Sequence, residues 1–166
     1  MSYTDRNGGQ VYTATIESSV LSTNPHDLLT LLSSNSRVEL LDLEFYQVTA
    51  APLGIGIELW RGSTGSGGGS AVTPVNIKGW SGAPSAVSAV TANSSAVIST
   101  TSAVRLAAGA FEAGDGKWCF RPCVPPVLDT AQRAHIRITA PSTGGAAGVA
   151  IYGTATFRET GKPAVS

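Results

Sequence analysis

Apolar and polar residues alternate in several short runs along this chain of 166 residues. Residues 11–17 and 37–48 are rich in β-branched side chains, which favour strands. In residues 53–60 an apolar side chain occupies every second position, the period of a strand with one buried face. Residues 50–52 (AAP) are typical of a short turn. The pattern therefore predicts that the strands 37–48 and 53–60 pair as neighbours.

Two segments need a closer interpretation. Within 37–48, a regular alternation places Leu41, Leu43 and Phe45 on one face, and this is the predicted inward set. Residues 24–32 begin with Asn-Pro, a favourable helix start, but the serine-rich cluster that follows stops any helix within three turns. This segment is predicted to be either a short helix or a strand.

The C-terminal third of the chain has the same strand pattern. Residues 133–139 and 149–158 both alternate, and the Gly-rich residues 141–148 between them are predicted to form a flexible hairpin loop. Residues 114–116 (GDG) form a turn signal. Short strands separated by Gly and Pro turns, without a long amphipathic helix, indicate an all-β fold of the β-sandwich or jelly-roll type.

The middle of the chain repeats the tripeptide Ser-Ala-Val, in three cases at a spacing of seven residues. This is not a coiled-coil heptad, because the stretch lacks leucine and flanking charges and is rich in poor helix formers. The domain organisation that follows is a polar N-terminal arm (1–10), one β-sandwich domain with long Gly/Ser-rich loops (11–160) and a C-terminal tail (161–166).

Composition and charge exclude several classes of protein. Hydrophobic residues make up 42% of the chain and charged residues only 13%, with a net charge of zero. A nucleic-acid-binding protein that neutralises phosphates would carry a basic excess or stripe. A disordered chain would combine low hydrophobicity with high net charge. The sequence therefore indicates a folded, weakly charged domain.

The lack of a signal-peptide pattern indicates synthesis in a cytoplasm, and this bears on the state of the two cysteines. The start of the chain shows no signal-peptide pattern, and no apolar run is long enough to span a bilayer. Cys119 and Cys123 are four residues apart, so only a turn at 121–122 would allow a disulfide. Free thiols are favoured over a bridge. Zinc binding is disfavoured, since structural zinc takes four ligands.

Candidate chemistry is sparse. The Gly/Ser run 62–70 lacks the Lys-Ser/Thr that a phosphate-binding loop requires, so a mobile loop is the favoured interpretation. His135 lies in an alternating strand and is predicted to be a satisfied surface or core histidine. Asp42 and Glu44 share one strand face, where a solvated pair is favoured over the acid–base pair of a glycosidase. No catalytic, cofactor-binding or metal-binding residue is predicted, and the protein is not expected to be an enzyme.

The three tryptophans are the strongest candidates for contact with a ligand or partner. Aromatic rings on a β-sandwich stack on sugars or fill subunit interfaces. For Trp60, Trp80 and Trp118, a role in the core or in an interface is favoured over sugar binding.

The order of features along the chain carries a resemblance. The elements concerned are a polar start, the VYTAT of 11–15, the DLL of 27–29, the strand 38–48, the ELWRGSTGSGG of 58–68, the TPV of 73–75, a Ser/Thr/Ala-rich middle and the closing strand 149–157. This order resembles a group of bacteriophage-encoded virion proteins of about this length. The resemblance implies a structural part of a tailed-phage particle, specifically a capsid decoration or cement protein, and it implies no active-site residues.

From this resemblance we expect a homo-oligomer, a trimer first, seated on a lattice of a major capsid protein. It would be made in the host cytoplasm and located in the virion, without nucleic-acid or membrane partners. The N-terminal arm and the loop 62–70 are expected to make contacts outside their own sandwich. The alternative is a receptor-binding fibre or tail module that binds carbohydrate through exposed tryptophans. Candidate interface residues are Tyr3, Arg6, Trp60, Arg61, Trp80 and Trp118.

Overall fold

The protein is all-β. Its structure is a computed structural model that describes residues 9–18, 26–47, 55–62, 69–77, 85, 87–93, 102–111, 117–139 and 150–160. Every regular element within these ranges is a strand, which confirms the predicted fold class. The strands are β1 (Gln10–Ser18), β2 (His26–Ser33), β3 (Arg37–Gln47), β4 (Ile55–Gly62), β5 (Ser70–Val72), β6 (Val75–Asn76), β7 (Val87–Asn93), β8 (Val104–Phe111), β9 (Lys117–Phe120), β10 (Val127–Leu128), β11 (Arg133–Thr139) and β12 (Ile151–Thr160).

The strands form two antiparallel sheets. Sheet I has the order β10-β3-β12-β1-β6, and β9 joins β10 along the same edge of β3. Sheet II has the order β5-β7-β2-β11-β4-β8. The inner faces of the two sheets enclose one hydrophobic core, so the architecture is a β-sandwich, as predicted.

The pairing of the strands identifies a jelly roll within this sandwich. The first and last strands pair (β1 with β12), then β2 pairs with β11, β3 with β9 and β10, and β4 with β8. This nested order is a long antiparallel ribbon rolled into two sheets, as in eight-stranded jelly rolls. The remaining strands β5, β6 and β7 lie between β4 and β8 in sequence and extend both sheets.

The core is built from the inward positions of both sheets. On the neighbouring strands β1 and β12, Tyr12 lies opposite Phe157 with their rings stacked at 5.9 Å, and Ala14 lies opposite Ala155. Each fully buried large side chain of this kind contributes about 1.5–3 kcal/mol through the removal of apolar surface from water. The largest fully buried side chains are Tyr12, Phe45, Phe157, Ile16, Leu28, Leu29, Leu31, Leu40, Leu43, Ile55, Ile57 and Leu59.

The predicted inward set of β3 is partly wrong. Leu43 and Phe45 are fully buried, but Leu41 is only half-buried and Leu40 is in the core instead. The register between β12 and β3 shifts at this point, so Leu41 has no direct partner. A β-bulge of this kind adds one residue to a strand and moves the following side chains to the other face.

Two predicted strand pairings are also wrong. β3 and β4 were expected to form neighbours, as were β11 and β12, but in both cases the two strands lie in different sheets. The connecting residues therefore cross from one sheet to the other. A period of two shows which side chains of a strand face inward, but it contains no information about which strand lies beside it.

The ambiguous segment near residue 24 is a strand from His26 onward. Its residues 27–31 are all buried, on both faces of the strand. This explains the absence of a clear period of two, because a strand covered on both sides has a nearly continuous apolar sequence. Residues 1–8 of the predicted arm (1–10) and the predicted tail (161–166) lie outside the described residues, and Gln10 at the end of the predicted arm already belongs to β1.

Candidate functional site

The predicted interface residues fall into two groups. Tyr3, Arg6 and Trp80 lie outside the described residues, as does most of the loop 62–70. Trp60, Arg61 and Trp118 are described, and they occupy three different environments. The structure does not bring these three side chains together in one cluster.

Trp60 lies on the outer face of sheet II in a network with two charged residues. Its indole Nε1 donates a hydrogen bond to Glu58 Oε2 at 2.9 Å. The guanidinium of Arg105 lies 5.8 Å from the ring centroid and forms a 3.0 Å ion pair with Glu58. A cation over an indole face is a favourable contact. One face and the polar edge of Trp60 are therefore already engaged within the chain.

Arg61 connects the two sheets. Its Nη1 donates a 3.1 Å hydrogen bond to the backbone carbonyl of Val127 on β10, although Arg61 itself is on β4 of sheet II. The side chain is half-buried. This contact fastens one side of the sandwich, which is a structural role for a residue predicted at an interface.

Trp118 covers the side of the core where β9 ends sheet I. Its ring lies 6.0 Å from Phe45 and stacks at 6.3 Å on Phe120, with only 8° between the planes. It also reaches across to β8 in sheet II, where a Cβ on Gly109 would lie 2.4 Å from the indole Nε1. Glycine is therefore needed at position 109 to let the tryptophan approach.

Around Trp118, one flank of the sandwich leaves core side chains partly uncovered. Leu106 and Ala107 on β8, together with Trp118 and Phe120 on β9, pack against the core but remain partly exposed. Beside them, residues 108–110 of β8 are exposed. We call these residues the β8 flank. Trp118 is the predicted interface residue that belongs to it.

The acidic pair on β3 is held in ion pairs. Asp42 Oδ1 lies 3.0 Å from Arg121 Nε, and Glu44 Oε1 lies 2.8 Å from Lys117 Nζ and also pairs with Arg121. The hydrogen bond from Lys117, with the nearby charge of Arg121, holds the pKa of Glu44 below its ordinary value. The same bond raises the pKa of Lys117, and the contact with Asp42 raises that of Arg121. A glutamate that is ionised so readily is a poor proton donor at neutral pH.

A buried acid–imidazole pair was missed by the sequence analysis. His135 Nδ1 on β11 lies 2.6 Å from Asp27 Oδ2 on β2, and Thr30 donates to the same carboxylate oxygen at 3.3 Å. The side chains of His135 and Asp27 are both buried. His135 is thus a core histidine, as one of the two predicted outcomes had it, but only its Nδ1 has a partner among the described residues. Asp27 was not singled out because nothing in the sequence places it beside residue 135.

Each partner of this pair keeps a second polar atom in the buried site. A carboxylate on Nδ1 fixes the imidazole and leaves Nε2 as the second functional atom. Nε2 of His135 and Oδ1 of Asp27 are both buried and have no hydrogen-bond partner among the described residues. Within the same part of the chain, no cluster of three or more potential metal ligands occurs. The pair links β11 to β2 inside sheet II.

The two cysteines are free thiols, as favoured from the sequence. Cys119 on β9 and Cys123 in the segment before β10 are both exposed.

In the described part of the chain, no helix is long and apolar enough to cross a membrane.

Comparisons with known proteins add little to this description. No protein-family model matches the chain, and no curated protein matches it. Among solved structures, the chain is similar to a chain from the structure of Turnip Yellow Mosaic Virus at 100 K, with 14% sequence identity over 96% of this chain and 99% of that chain. The TM-score is 0.27, and at this level the likeness carries no argument. The fold assignment therefore stands on the strand pairing described above.

Proposed function

We propose that this protein is a non-enzymatic structural component of a bacteriophage particle, and specifically a decoration protein that stabilises the capsid from its surface. The observation on which the proposal depends is the complete set of nested strand pairs of a jelly roll, from β1 with β12 to β4 with β8. Jelly rolls form viral capsid domains, but also lectins and cupins. Fold alone does not define function, so other features must favour one class.

The described surface favours assembly over ligand chemistry. Cupin- or lectin-like binding needs convergent polar groups or exposed rings in a concave site. Here Asp42 and Glu44 form ion pairs with Lys117 and Arg121, and Trp60 is engaged by Glu58 and Arg105. The order of sequence features resembles that of phage virion proteins, which supports the same choice.

The partners in this proposal are copies of the chain, arranged first as a trimer, and a major capsid protein beneath them. Such an assembly places the protein in the virion after its synthesis in the host cytoplasm. Particle proteins associate through closed point-group symmetry and must avoid unlimited strand pairing. In this proposal the sandwich is the body of each subunit, and the N-terminal arm and Gly/Ser loop predicted from the sequence contact the neighbouring subunits.

The test compares phage particles made with and without this chain. We expect mass spectrometry to find the protein in purified particles at a fixed ratio to the major capsid protein. Cryo-electron microscopy is expected to show density on the outer head surface that is lost when the gene is deleted. On heating, the particles without this protein are expected to break at a lower temperature than the complete particles. Absence of the protein from purified particles would contradict the proposal, and density on the tail would replace the decoration role by a fibre role.

A further inference from the structure

Among the described strands, β8 has the longest edge without a strand partner. It pairs with β4 on one side, and none of the described strands pairs with its other side. The strand has eight residues, whereas the edge strands β5 and β6 have three and two. A strand with one free side presents a row of N–H and C=O groups that fits another extended strand.

The neighbouring edge of sheet I, on the same side of the sandwich, is built differently. β9 and β10 share one edge of β3, but they are separated by the segment 121–126, which contains Pro122, Pro125 and Pro126. Proline has no N–H to donate, so this edge cannot continue a ladder of hydrogen bonds. β8 therefore offers the one long ladder among the described edges.

Devices that normally protect an edge are few on β8. Proteins block such edges with lysine, proline, inward charges or bulges. β8 contains no proline and a single charged residue, Arg105, which is already paired with Glu58 at 3.0 Å. A register shift between β4 and β8 occurs next to this residue, near the start of the strand. The remaining run of residues 107–110 is uncharged and small, and it is open to close approach of another backbone.

Beside this edge lies the apolar part of the β8 flank. The stacked rings of Trp118 and Phe120 and the side chain of Leu106 are only partly covered by the chain itself. Burial of partly exposed core side chains adds hydrophobic stabilisation to the backbone hydrogen bonds of a strand pair. The flank thus combines the two requirements of a specific interface within one surface.

We propose that a second copy of this chain docks on the β8 flank, with the two β8 strands paired antiparallel about a two-fold axis near Ala108. The contact joins the sheets II of both copies into one continuous sheet. This inference rests on the proposed function, because it identifies where the copies meet. This two-fold contact is an addition to the three-fold contact of the proposed trimer, and a hexamer with D₃ symmetry forms if the two axes cross at right angles.

Charge and size favour a second copy as the occupant. With Ala108 at the axis, Arg105 of each strand lies opposite position 111 of the other strand, so the two guanidinium groups are about 20 Å apart at roughly 3.4 Å per residue. No like charges therefore face each other. At the centre of the contact, Ala108 faces Ala108 of the other copy, and Ala107 faces Gly109. These small side chains allow the main chains to reach hydrogen-bonding distance.

The experiment measures the mass of the purified full-length chain by light scattering coupled to size-exclusion chromatography. We expect a double substitution, Ala108→Lys with Ala110→Lys, to halve the mass and weaken self-association by about tenfold or more, since like charges opposite each other destabilise a strand pair. The corresponding glutamate variant, Ala108→Glu with Ala110→Glu, is expected to behave in the same way. An equimolar mixture of the two variants should regain the full mass, because opposite charges then meet across the axis.

The matched control carries Val75→Lys and Ile77→Lys. These residues are 63% and 56% exposed. They lie at β6, the edge strand of sheet I at the end away from β9 and β10. The control should keep the full mass. A reduced mass in the control, or failure of the mixture to associate, would overturn the β8 contact.

A second measurement does not depend on folding of the variants. Hydrogen exchange of the β8 amides in the unmodified protein should slow as the protein concentration rises, and rates that are independent of concentration would contradict the inference. Failure of this contact is distinguishable from failure of the proposed function. A chain that is present in particles but shows no two-fold association refutes only the β8 contact, whereas a chain that associates in solution but is absent from particles refutes only the virion role.

Discussion

Gly153 on β12 offers a quantitative test of the core packing in sheet I. It lies directly opposite Phe45 of β3 and faces the core. A Cβ at this position would lie 2.1 Å from Phe45 Cδ1, 2.5 Å from Cε1 and 2.8 Å from the backbone oxygen of Glu44. The aromatic ring therefore covers the glycine, and the substitution Gly153→Ala forces one of them to move.

The size of the effect follows from these distances. Non-bonded carbon atoms are most stable at about 3.5–4.0 Å, so the ring must retreat by about 1.4 Å to accept the methyl group. Phe45 is fully buried and its ring lies 6.0 Å from that of Trp118, which restricts this movement. Overpacking of a core costs about 1–3 kcal/mol. Because a backbone oxygen is also too close, we expect the upper end, about 3 kcal/mol, equivalent to a decrease of about 6–12 °C in Tm.

The assay is urea unfolding followed by tryptophan fluorescence, with Gly56→Ala as the matched control. At Gly56, which lies on β4, a Cβ would meet its nearest atoms at 3.6 Å and 3.7 Å, which is ordinary contact. Replacing a strand glycine there should leave stability unchanged or raise it by about 0.5 kcal/mol through lower chain entropy of the unfolded state. Equal unfolding midpoints for both variants would refute the packing of Phe45 over Gly153.

Three further predictions concern ionisable and reactive groups. Asp27→Ala should lower the free energy of unfolding by about 1–3 kcal/mol, since the buried Nδ1 of His135 and the hydroxyl of Thr30 then lose the carboxylate that they contact, and a decrease of less than about 0.5 kcal/mol in the unfolding free energy from urea titration would contradict this. The pKa of Glu44 is lowered on folding from an ordinary 4.5, so its contribution to stability is present above that pH and is lost as the pH falls through the folded-state pKa. Glu44→Gln should therefore slightly reduce the loss of unfolding free energy at acidic pH when the salt concentration is low. At high salt the substitution should have no effect on this pH dependence. Both Cys119 and Cys123 should react with a thiol reagent in the native protein without denaturant, and two unreactive thiols would indicate a bridge or burial.

The class of the fold and the inward faces of most strands were determined by the sequence alone. The alternation around Ile55, Ile57 and Leu59 predicted side chains that are all fully buried. No long segment has apolar residues at the helical spacing of about 3.6 residues, and this predicted a chain without a major helix. The described residues agree with this prediction, because all their regular elements are strands. Such patterns are local, since each side chain's face depends on its neighbours within a few residues.

The order of the strands and the contacts between sheets were decided only by the tertiary structure. The jelly-roll pairing of β1 with β12 joins the two ends of the domain, and no local pattern encodes a partner that far away. The bulge that places Leu40 in the core instead of Leu41 arises from the register with β12. Sequence reasoning continued the strand without a bulge, so it assigned the wrong residue.

The same distinction applies to the functional residues. From the sequence, Trp118 could be named as a contact candidate and Asp42 and Glu44 could be placed on one strand face, because both interpretations depend on residue type and on the alternation within one strand. The ion pairs of the two carboxylates with Lys117 and Arg121 were visible only in the structure. The Asp27–His135 pair and the open edge of β8 depend on which strands lie together and which strand lies last in its sheet. Burial of an ionisable pair and exposure of a backbone edge are properties of the assembled sheets, and they exist only after distant segments have packed.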